Sequence, residues 1–127
     1  MNRLVVDVAP GEYTVTRLDP GTGVPAELLT RDGLVSVTAT ATEVSVVTPS
    51  EHAPDGGRTE PGWRLLTVRG PLEFTLTGIM AALAGALAQA GVPLFALSTF
   101  DTDHLLVRAV DLDRAVRALR EAGHEIG

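Results

Sequence analysis

The sequence predicts an α+β protein whose second half is a ferredoxin-like β-α-β-β-α-β unit. Three observations predict it. Strand and helix patterns follow one another in that order after Gly62, the longest helical pattern is rich in alanine, and a short polar hairpin separates two apolar runs. This order of elements is typical of a split β-α-β sheet with two helices on one face. The first half, with the order β-β-α-β-β, is interpreted as a degenerate copy of the same unit.

The first half is predicted to consist mostly of strands. Alternating segments rich in β-branched residues predict strands, Pro-Gly and Asp-Gly pairs mark turns, and Pro25 suits the start of a short helix. The predicted strands are residues 4–8, 13–18, 34–40 and 43–48, with one or two helical turns at residues 26–30. Residues 49–62 contain three prolines and three glycines in fourteen positions. This segment is predicted to be a loop that separates the two halves.

The strongest helical pattern follows a predicted strand at residues 63–69. Apolar residues recur at i, i+4, i+7 and i+11 and form one stripe, which consists of Leu76, Met80, Leu83 and Leu87. The stripe is interpreted as core. Thr75 or Thr77 is predicted to cap the start of this helix, and Gly91 is predicted to end it.

Two further strands and a second helix complete the second half. Residues 92–97 are continuously apolar, which is typical of a strand buried on both faces. The hairpin at residues 98–103 then leads into a return strand at residues 104–110. An aspartate cap at Asp111 and a stop at Gly123 bound the second helix, and residues 124–126 are predicted to form a last short strand.

Length and composition are those of a folded globular protein. The chain has 127 residues, of which 45% are hydrophobic and 20% are charged. A chain of this length forms one domain or two very small ones. We expect an N-terminal half at residues 1–60 and a C-terminal domain at residues 61–127.

The charge balance argues against a nucleic-acid partner or an anionic membrane surface. There are 16 acidic and 10 basic residues, which gives a net charge of −6 and a pI near 4.9. Binding to nucleic acid needs a basic face instead. Neither a signal peptide nor an apolar stretch of about 18–20 residues is visible, so a cytoplasmic location is expected.

The residue types and their spacing do not indicate an enzyme, a cofactor or a metal centre. The chain has no cysteine, no nucleophile elbow and no Ser-His-Asp arrangement marked by its sequence context. The hairpin leaves three interpretations of Asp101 and Asp103 open. Their side chains form the turn itself, line a binding site, or act as a carboxylate pair for catalysis or for a hard cation.

The hairpin and the start of the main helix together suggest a site for a zwitterion. A helix N-terminus after Gly78 can hold a carboxylate, and Asp103 can hold an ammonium or guanidinium group. We expect the two features at opposite ends of neighbouring strands. A complete site would then require a second copy of the unit.

The segment from residue 70 to residue 107 resembles the ACT-domain family of amino-acid-binding regulatory modules. The resemblance rests on Thr77-Gly78-Ile79 at the helix entry and on Ser98-Thr99-Phe100-x-x-Asp103-x-x-Leu106-Val107. Within the family it is similar to the branch that contains arginine sensors and small bacterial tandem ACT proteins. The resemblance implies two ferredoxin-like ACT units in tandem, of which the N-terminal copy is degenerate.

The resemblance also implies a non-catalytic sensor that binds a free amino acid, small or arginine-like, at an interface between ACT units. Asp103 would contact the cationic side chain or the α-ammonium group. The implied ligand contacts are Thr77, Gly78, Ile79, Leu94, Thr99, Phe100, Thr102 and Asp103. A homodimer and a regulated protein partner are expected as well. The alternative is a structural or protein-interaction scaffold whose ligand site is vestigial.

Overall fold

The computed structural model describes residues 3–72 and 77–127, and its chain divides into two units. Met1–Pro10 and Arg64–Gly127 make up the C-terminal unit, and Gly11–Trp63 makes up the N-terminal unit. The boundary expected after residue 60 stays a prediction. The division after Trp63 lies close to it, but it assigns the first ten residues to the C-terminal unit.

The described residues form strands, two α-helices and short 3₁₀ helices. The strands are Val5–Val8 (β1), Tyr13–Leu18 (β2), Ser36–Ala39 (β3), Val44–Pro49 (β4), Arg58–Val68 (β5), Leu94–Ser98 (β6), Asp103–Arg108 (β7) and Glu125–Ile126 (β8). The α-helices are Ile79–Gln89 (α1) and Leu112–Glu121 (α2), and short 3₁₀ helices lie at Ala26–Thr30, Ser50–His52 and Ala109–Asp111. The β-α-β-β-α-β order predicted for the second half is confirmed by β5, α1, β6, β7, α2 and β8.

The C-terminal unit contains a mixed sheet with the strand order β6-β7-β5-β1-β8. Strand β1 runs antiparallel to β5, with Val6 opposite Val68, and parallel to β8, with Val6 opposite Ile126. The first strand of the chain therefore lies between two strands of the predicted ferredoxin-like unit. The order of elements along the sequence does not show that β1 is inserted between β5 and β8.

Helices α1 and α2 supply the core of the C-terminal unit together with the sheet. From the predicted stripe, Leu83 and Leu87 are fully buried and Met80 is half-buried, whereas Leu76 lies outside the described residues. The core cluster comprises Leu4, Val6, Leu66, Val68, Leu83, Leu87, Val92, Leu105, Val107, Ala115 and Leu119. The interpretation of the stripe as core is confirmed for its described, buried members.

The predicted start of α1 is wrong. Its N-cap is Gly78, with φ of 78°, and no side chain of the residues that the structure describes caps the helix. A left-handed backbone at this position suits glycine, which explains why the chain enters the helix there instead of at Thr77. Thr75, the other predicted cap, lies outside the described residues. The predicted stop at Gly91, with φ of 72°, follows the end of the helix as expected.

Two strand predictions also need correction. Residues 49–62 are not a loop throughout, because β5 begins at Arg58 and pairs with β2 through Glu60 and Val15. Strand β6 is not buried on both faces. In the described chain it pairs with β7 alone, and its residues are half-buried or exposed, as befits an edge strand. An apolar run alone does not distinguish these positions.

The N-terminal unit is an antiparallel sheet with the order β3-β4-β2-β5, to which β5 contributes its first residues. Its core consists of Leu18, Leu28, Val44 and Val46. Leu28 comes from the 3₁₀ helix Ala26–Thr30, which occupies the place of the helical turns predicted there. Neither described α-helix has the length and apolar character that crossing a bilayer requires.

His124 gives the C-terminal unit a stability that depends on pH. Its side chain is buried, and its Nδ1 accepts a hydrogen bond of 3.2 Å from the Leu4 N–H, which requires an unprotonated Nδ1. Burial lowers the pKa of His124. The unfolded chain, with an ordinary histidine pKa of about 6.5, therefore binds this proton more readily. The contribution of neutral His124 to the stability of the fold is fully present above the pKa of the unfolded chain. It is lost as the pH falls towards the lower pKa of the folded state.

We expect His124→Asn to flatten the dependence of the unfolding free energy on pH below about 6.5. Asparagine keeps an acceptor near the Leu4 N–H and does not titrate in this range. Urea denaturation at several pH values measures the slope, and His52→Asn, in the N-terminal unit, is the control. A slope in His124→Asn equal to that of the wild type would contradict the assignment. Some slope will remain, because burial lowers the pKa of His104 as well.

Candidate functional site

A cleft of about 360 Å³ lies in the C-terminal unit between the start of α1 and the turn that joins β6 to β7. Residues 78–81 form one side, which we call the helix wall. Residues 98–103 form the other side, which we call the hairpin wall. Leu72, from the segment that follows β5, completes the described lining.

Both walls belong to one chain, so the expectation that they meet only through a second copy is wrong. A β-α-β crossover makes its two strands parallel, here β5 and β6. Their C-terminal ends consequently lie at the same edge of the sheet. The chain leaves β5 towards α1 at that edge, and it leaves β6 for the hairpin wall at the same edge.

Two hydrogen bonds fasten the hairpin wall to the end of β5. The Leu72 N–H donates to the Asp101 carbonyl at 2.7 Å, and Thr102 Oγ1 donates to the Val68 carbonyl at 2.6 Å. Gly70 permits this close approach, because a Cβ there would lie 3.1 Å from the Asp101 carbonyl oxygen and 3.2 Å from the Thr102 Cβ. The position of the wall is therefore set by the strand rather than by the turn alone.

The side chains of the hairpin wall use their hydroxyl hydrogens internally. Ser98 Oγ donates to Asp103 Oδ1 at 2.6 Å, and Thr99 Oγ1 donates to the Thr102 carbonyl at 3.2 Å. The Thr102 hydroxyl is already committed to Val68. A hydroxyl has one hydrogen and two lone pairs, and an ionised carboxylate only accepts. The polar side chains of this wall, including Asp101, therefore offer acceptors to the cleft.

The helix wall offers donors. The first bond of the α1 ladder runs from the Ala82 N–H to the Gly78 carbonyl at 2.9 Å, so the N–H groups of residues 79–81 precede the ladder. The first turn of α1 contains no acidic side chain, and no side-chain cap is described. Free amide hydrogens and the positive end of the helix dipole make such a terminus receptive to an anion.

The charges of the lining agree with this distribution of hydrogen-bond donors and acceptors. In the described lining, Asp101 and Asp103 are the two charged side chains and no residue is basic. The hairpin wall is consequently suited to a cation and the helix wall to an anion. Among the described residues, no cluster of three or more carboxylate or imidazole side chains is placed to hold a metal ion.

His104 lies directly behind the hairpin wall. Its Nδ1 is 2.9 Å from Thr67 Oγ1 on β5, and its Nε2 is 3.5 Å from Thr99 Oγ1. Partial burial lowers the pKa of His104, and the negative charge of Asp103 opposes this shift. The ring is not part of the described cleft lining.

Most of the predicted ligand contacts meet at this cleft. Those in the lining are Gly78, Ile79, Thr99, Phe100, Thr102 and Asp103. Thr77 is exposed beside the helix entry and is not among the lining residues. Leu94 lies at the other end of β6, where it pairs with Val107 and packs against the core. Whether these residues bind a ligand stays a prediction.

Sequence reasoning missed the rest of the described lining. Ser98 and Asp101 were recognisable as members of the polar hairpin, but the resemblance did not include them among the contacts. The apolar members gave no signal, because they look like core residues in the sequence. The missed residues are Leu72, Met80, Ala81, Ser98 and Asp101.

A sequence profile described as an ACT domain matches residues 58–121. Among curated proteins, the "Cytosolic arginine sensor for mTORC1 subunit 1" of Bos taurus is 35% identical over 66 residues, which cover 51% of this chain and 20% of that protein. The human protein of the same name is 37% identical over 59 residues, which cover 46% and 18%. The matched part of this chain thus spans about a fifth of the length of these relatives.

Solved structures resemble the whole chain. Protein Atu0741 from Agrobacterium tumefaciens matches with a TM-score of 0.90 and 35% identity, over 100% of this chain and 94% of that one. The regulatory subunit of aspartate kinase from Thermus thermophilus matches with a TM-score of 0.66 and 12% identity, over 93% and 97%. At that identity the second likeness concerns the fold alone.

Proposed function

The chain belongs to the ACT-domain family, and from this premise we propose that it is a non-catalytic regulatory module that binds a free α-amino acid. It is related to the cytosolic arginine sensors and to the Agrobacterium protein. One observation carries the proposal: the two walls of the cleft have opposite hydrogen-bonding polarity. An α-amino acid has the matching polarity, since its carboxylate accepts and its ammonium group donates.

The proposed pose places the α-carboxylate at the helix wall and the α-ammonium group at the hairpin wall. The amides of residues 79–81 would bind the carboxylate. Asp103 and Thr99 Oγ1 would accept from the ammonium group. The cleft, at about 360 Å³, lies within the range of roughly 300–1,000 Å³ that is usual for small-molecule sites.

An arginine-like ligand fits the charges of the described lining better than a small neutral one. The α-ammonium group can balance one of the two carboxylates of the hairpin wall. A guanidinium group in the ligand side chain would balance the other, and its planar fork matches a carboxylate. The relatives named as cytosolic arginine sensors support the same choice.

We propose further that the N-terminal unit is a degenerate ACT copy. Its elements follow the order β2, 3₁₀ helix, β3, β4, 3₁₀ helix, β5, which is β-α-β-β-α-β with 3₁₀ helices in place of α-helices. Its strand order, β3-β4-β2-β5, corresponds to β6-β7-β5-β8 in the C-terminal unit, where β1 is inserted before β8. The absence of an α-helix from the described unit explains why no second signature is recognisable.

The homodimer expected from the family remains part of the proposal, but ligand binding need not depend on it. Both described walls come from one chain. Light scattering with and without L-arginine distinguishes a constitutive dimer from a monomer. A monomer that binds L-arginine would contradict the expected dimer and leave the proposed site intact.

A series of arginine analogues tests the proposed function. We expect L-arginine to raise the melting temperature, since a ligand present at 100 times its Kd stabilises by about 2.7 kcal/mol. Agmatine lacks the α-carboxylate, and 5-guanidinopentanoic acid lacks the α-ammonium group. Each should bind at least about tenfold more weakly by calorimetry, because one wall is left without its partner.

The controls separate this proposal from a vestigial site. L-Alanine tests the small-ligand alternative, and the remaining standard amino acids complete the screen. If none of the twenty amino acids changes the melting temperature at about millimolar concentration, the sensor proposal is contradicted. The scaffold alternative would then be favoured, and the internal hydrogen bonds of the hairpin wall would be purely structural.

A further inference from the structure

The contacts around His104 favour one position for its ring proton. When the Thr99 hydroxyl donates its one hydrogen to the Thr102 carbonyl, at 3.2 Å, Thr99 Oγ1 accepts from His104 Nε2, 3.5 Å away. Nε2 therefore carries the hydrogen in the neutral ring. Nδ1 is then an acceptor, and the Thr67 hydroxyl, at 2.9 Å, must donate to it.

These contacts form a directed relay from the sheet to the cleft. It runs from the Thr67 hydroxyl to His104 Nδ1, from His104 Nε2–H to Thr99 Oγ1, and from the Thr99 hydroxyl to the Thr102 carbonyl. Thr99 Oγ1 keeps one lone pair that the relay does not use. Since Thr99 lines the cleft, that lone pair is available to a ligand donor.

We propose that His104 is a positioning residue that fixes Thr99 as an acceptor towards the ligand, and that its protonation makes amino-acid affinity depend on pH. The inference rests on the proposed function, because it concerns how ligand binding at that same site is regulated. His104 acts through Thr99, and its ring is not part of the described lining. Protonation places a positive charge directly behind the wall that receives the ligand's ammonium group.

The charged neighbours of the ring can be named from the register. Asp103 adjoins His104 on β7 and favours its protonated form, whereas partial burial disfavours it. On β5, the partner Thr67 is uncharged and lies opposite Asp7 of β1, whose carboxylate is held by Arg69 at 2.6 and 3.0 Å. On β6, the residue opposite is Leu97.

Binding and protonation should oppose each other. A ligand ammonium group at the hairpin wall disfavours a second positive charge on His104, and by linkage a protonated ring weakens the ligand to the same degree. The α-carboxylate, α-ammonium and guanidinium groups of L-arginine do not titrate between about pH 5.5 and 7.5. A pH dependence in this range therefore reports on the protein.

Two measurements test the proposal on the full chain. Nitrogen NMR of the histidine rings is expected to show His104 as the Nε2–H tautomer without any ligand. Calorimetry with L-arginine is expected to show Kd rising about fivefold or more between pH 7.5 and 5.5. His104→Gln keeps a side-chain N–H donor but cannot titrate in this range, so its Kd should stay near the wild-type value at pH 7.5 throughout. His104→Leu should bind more weakly at every pH, and His52→Gln is the control.

The outcomes are distinguishable. An Nδ1–H tautomer, or a pH response that persists in His104→Gln, overturns the proposal. Failure of the wild type to bind L-arginine at any pH overturns the proposed arginine-like ligand, while the tautomer still decides whether the relay exists. Should His104→Gln not fold, Thr67→Val serves instead. It removes the donor to Nδ1 and should change the NMR titration of the His104 ring, and an unchanged titration counts against the relay.

Discussion

Replacement of Asp103 by asparagine is expected to weaken the binding of L-arginine by about 30-fold or more while the fold stays intact. Asp103 is the first residue of β7 and lines the cleft, and its Oδ1 accepts from Ser98 Oγ at 2.6 Å. Asparagine keeps that acceptor, so the hairpin wall should keep its shape. It lacks the negative charge that the ligand's cationic group needs. Truncating one partner of a desolvated charge pair costs about 2–5 kcal/mol, or roughly 30-fold or more in Kd.

Asp113→Asn is the matched control for this prediction. Asp113 is exposed in the first turn of α2 and is not among the lining residues of the cleft. Its replacement should leave the Kd for L-arginine unchanged. Thermal melts of both variants without ligand establish that the fold is intact. If Asp103→Asn binds L-arginine as the wild type does, Asp103 is not part of the site, and Asp101→Asn then tests the other carboxylate.

The order of elements in the C-terminal unit could be predicted because it depends on local patterns. A continuous apolar run marked β6, and the spacing of Leu83 and Leu87 marked the buried face of α1. Glycine at position 91 marked the end of that helix. Each of these signals lies within one element, so no knowledge of neighbouring strands was needed.

The choice of neighbouring strands could not be predicted in the same way. Strand β1 pairs with β5 and β8, which are far from it in the sequence. Nothing in the residues of β1 shows that it pairs with these strands and not with β2, the next strand in the sequence. Strand β6 has an apolar sequence yet lies at an edge. The pairing of distant strands depends on the whole set of elements in the fold. The apolar composition of a single strand predicts its burial only on average.

The candidate site was predicted in its parts but not in its assembly. The hairpin and the helix entry were both recognised, yet they were assigned to opposite ends of neighbouring strands. The parallel arrangement of the β-α-β crossover brings them to one edge, and the bond from the Leu72 N–H to the Asp101 carbonyl joins them there. Leu94 was included because the family resemblance implied it, but four positions along β6 separate it from Ser98. At about 3.3 Å per residue, that places it at the far end of the strand.

The largest loss of stability is expected from Leu87→Ala in α1. Leu87 is fully buried and belongs to the core cluster that includes Leu83 and Leu119, so the truncation leaves a cavity between the helices and the sheet. Such substitutions cost about 2–5 kcal/mol. Whole domains are stable by only about 5–15 kcal/mol. Urea denaturation, followed by circular dichroism, measures the change in the unfolding free energy.

Leu29→Ala provides the matched control, because the same side-chain atoms are removed from a residue that is 67% exposed on the 3₁₀ helix Ala26–Thr30. Its expected cost is within about 0.5 kcal/mol. Equal losses in the two variants would contradict the placement of Leu87 in the core. Leu87 does not line the cleft, so a folded Leu87→Ala protein should still bind L-arginine. Loss of binding in that folded variant would instead mean that the helix wall depends on how firmly α1 is packed.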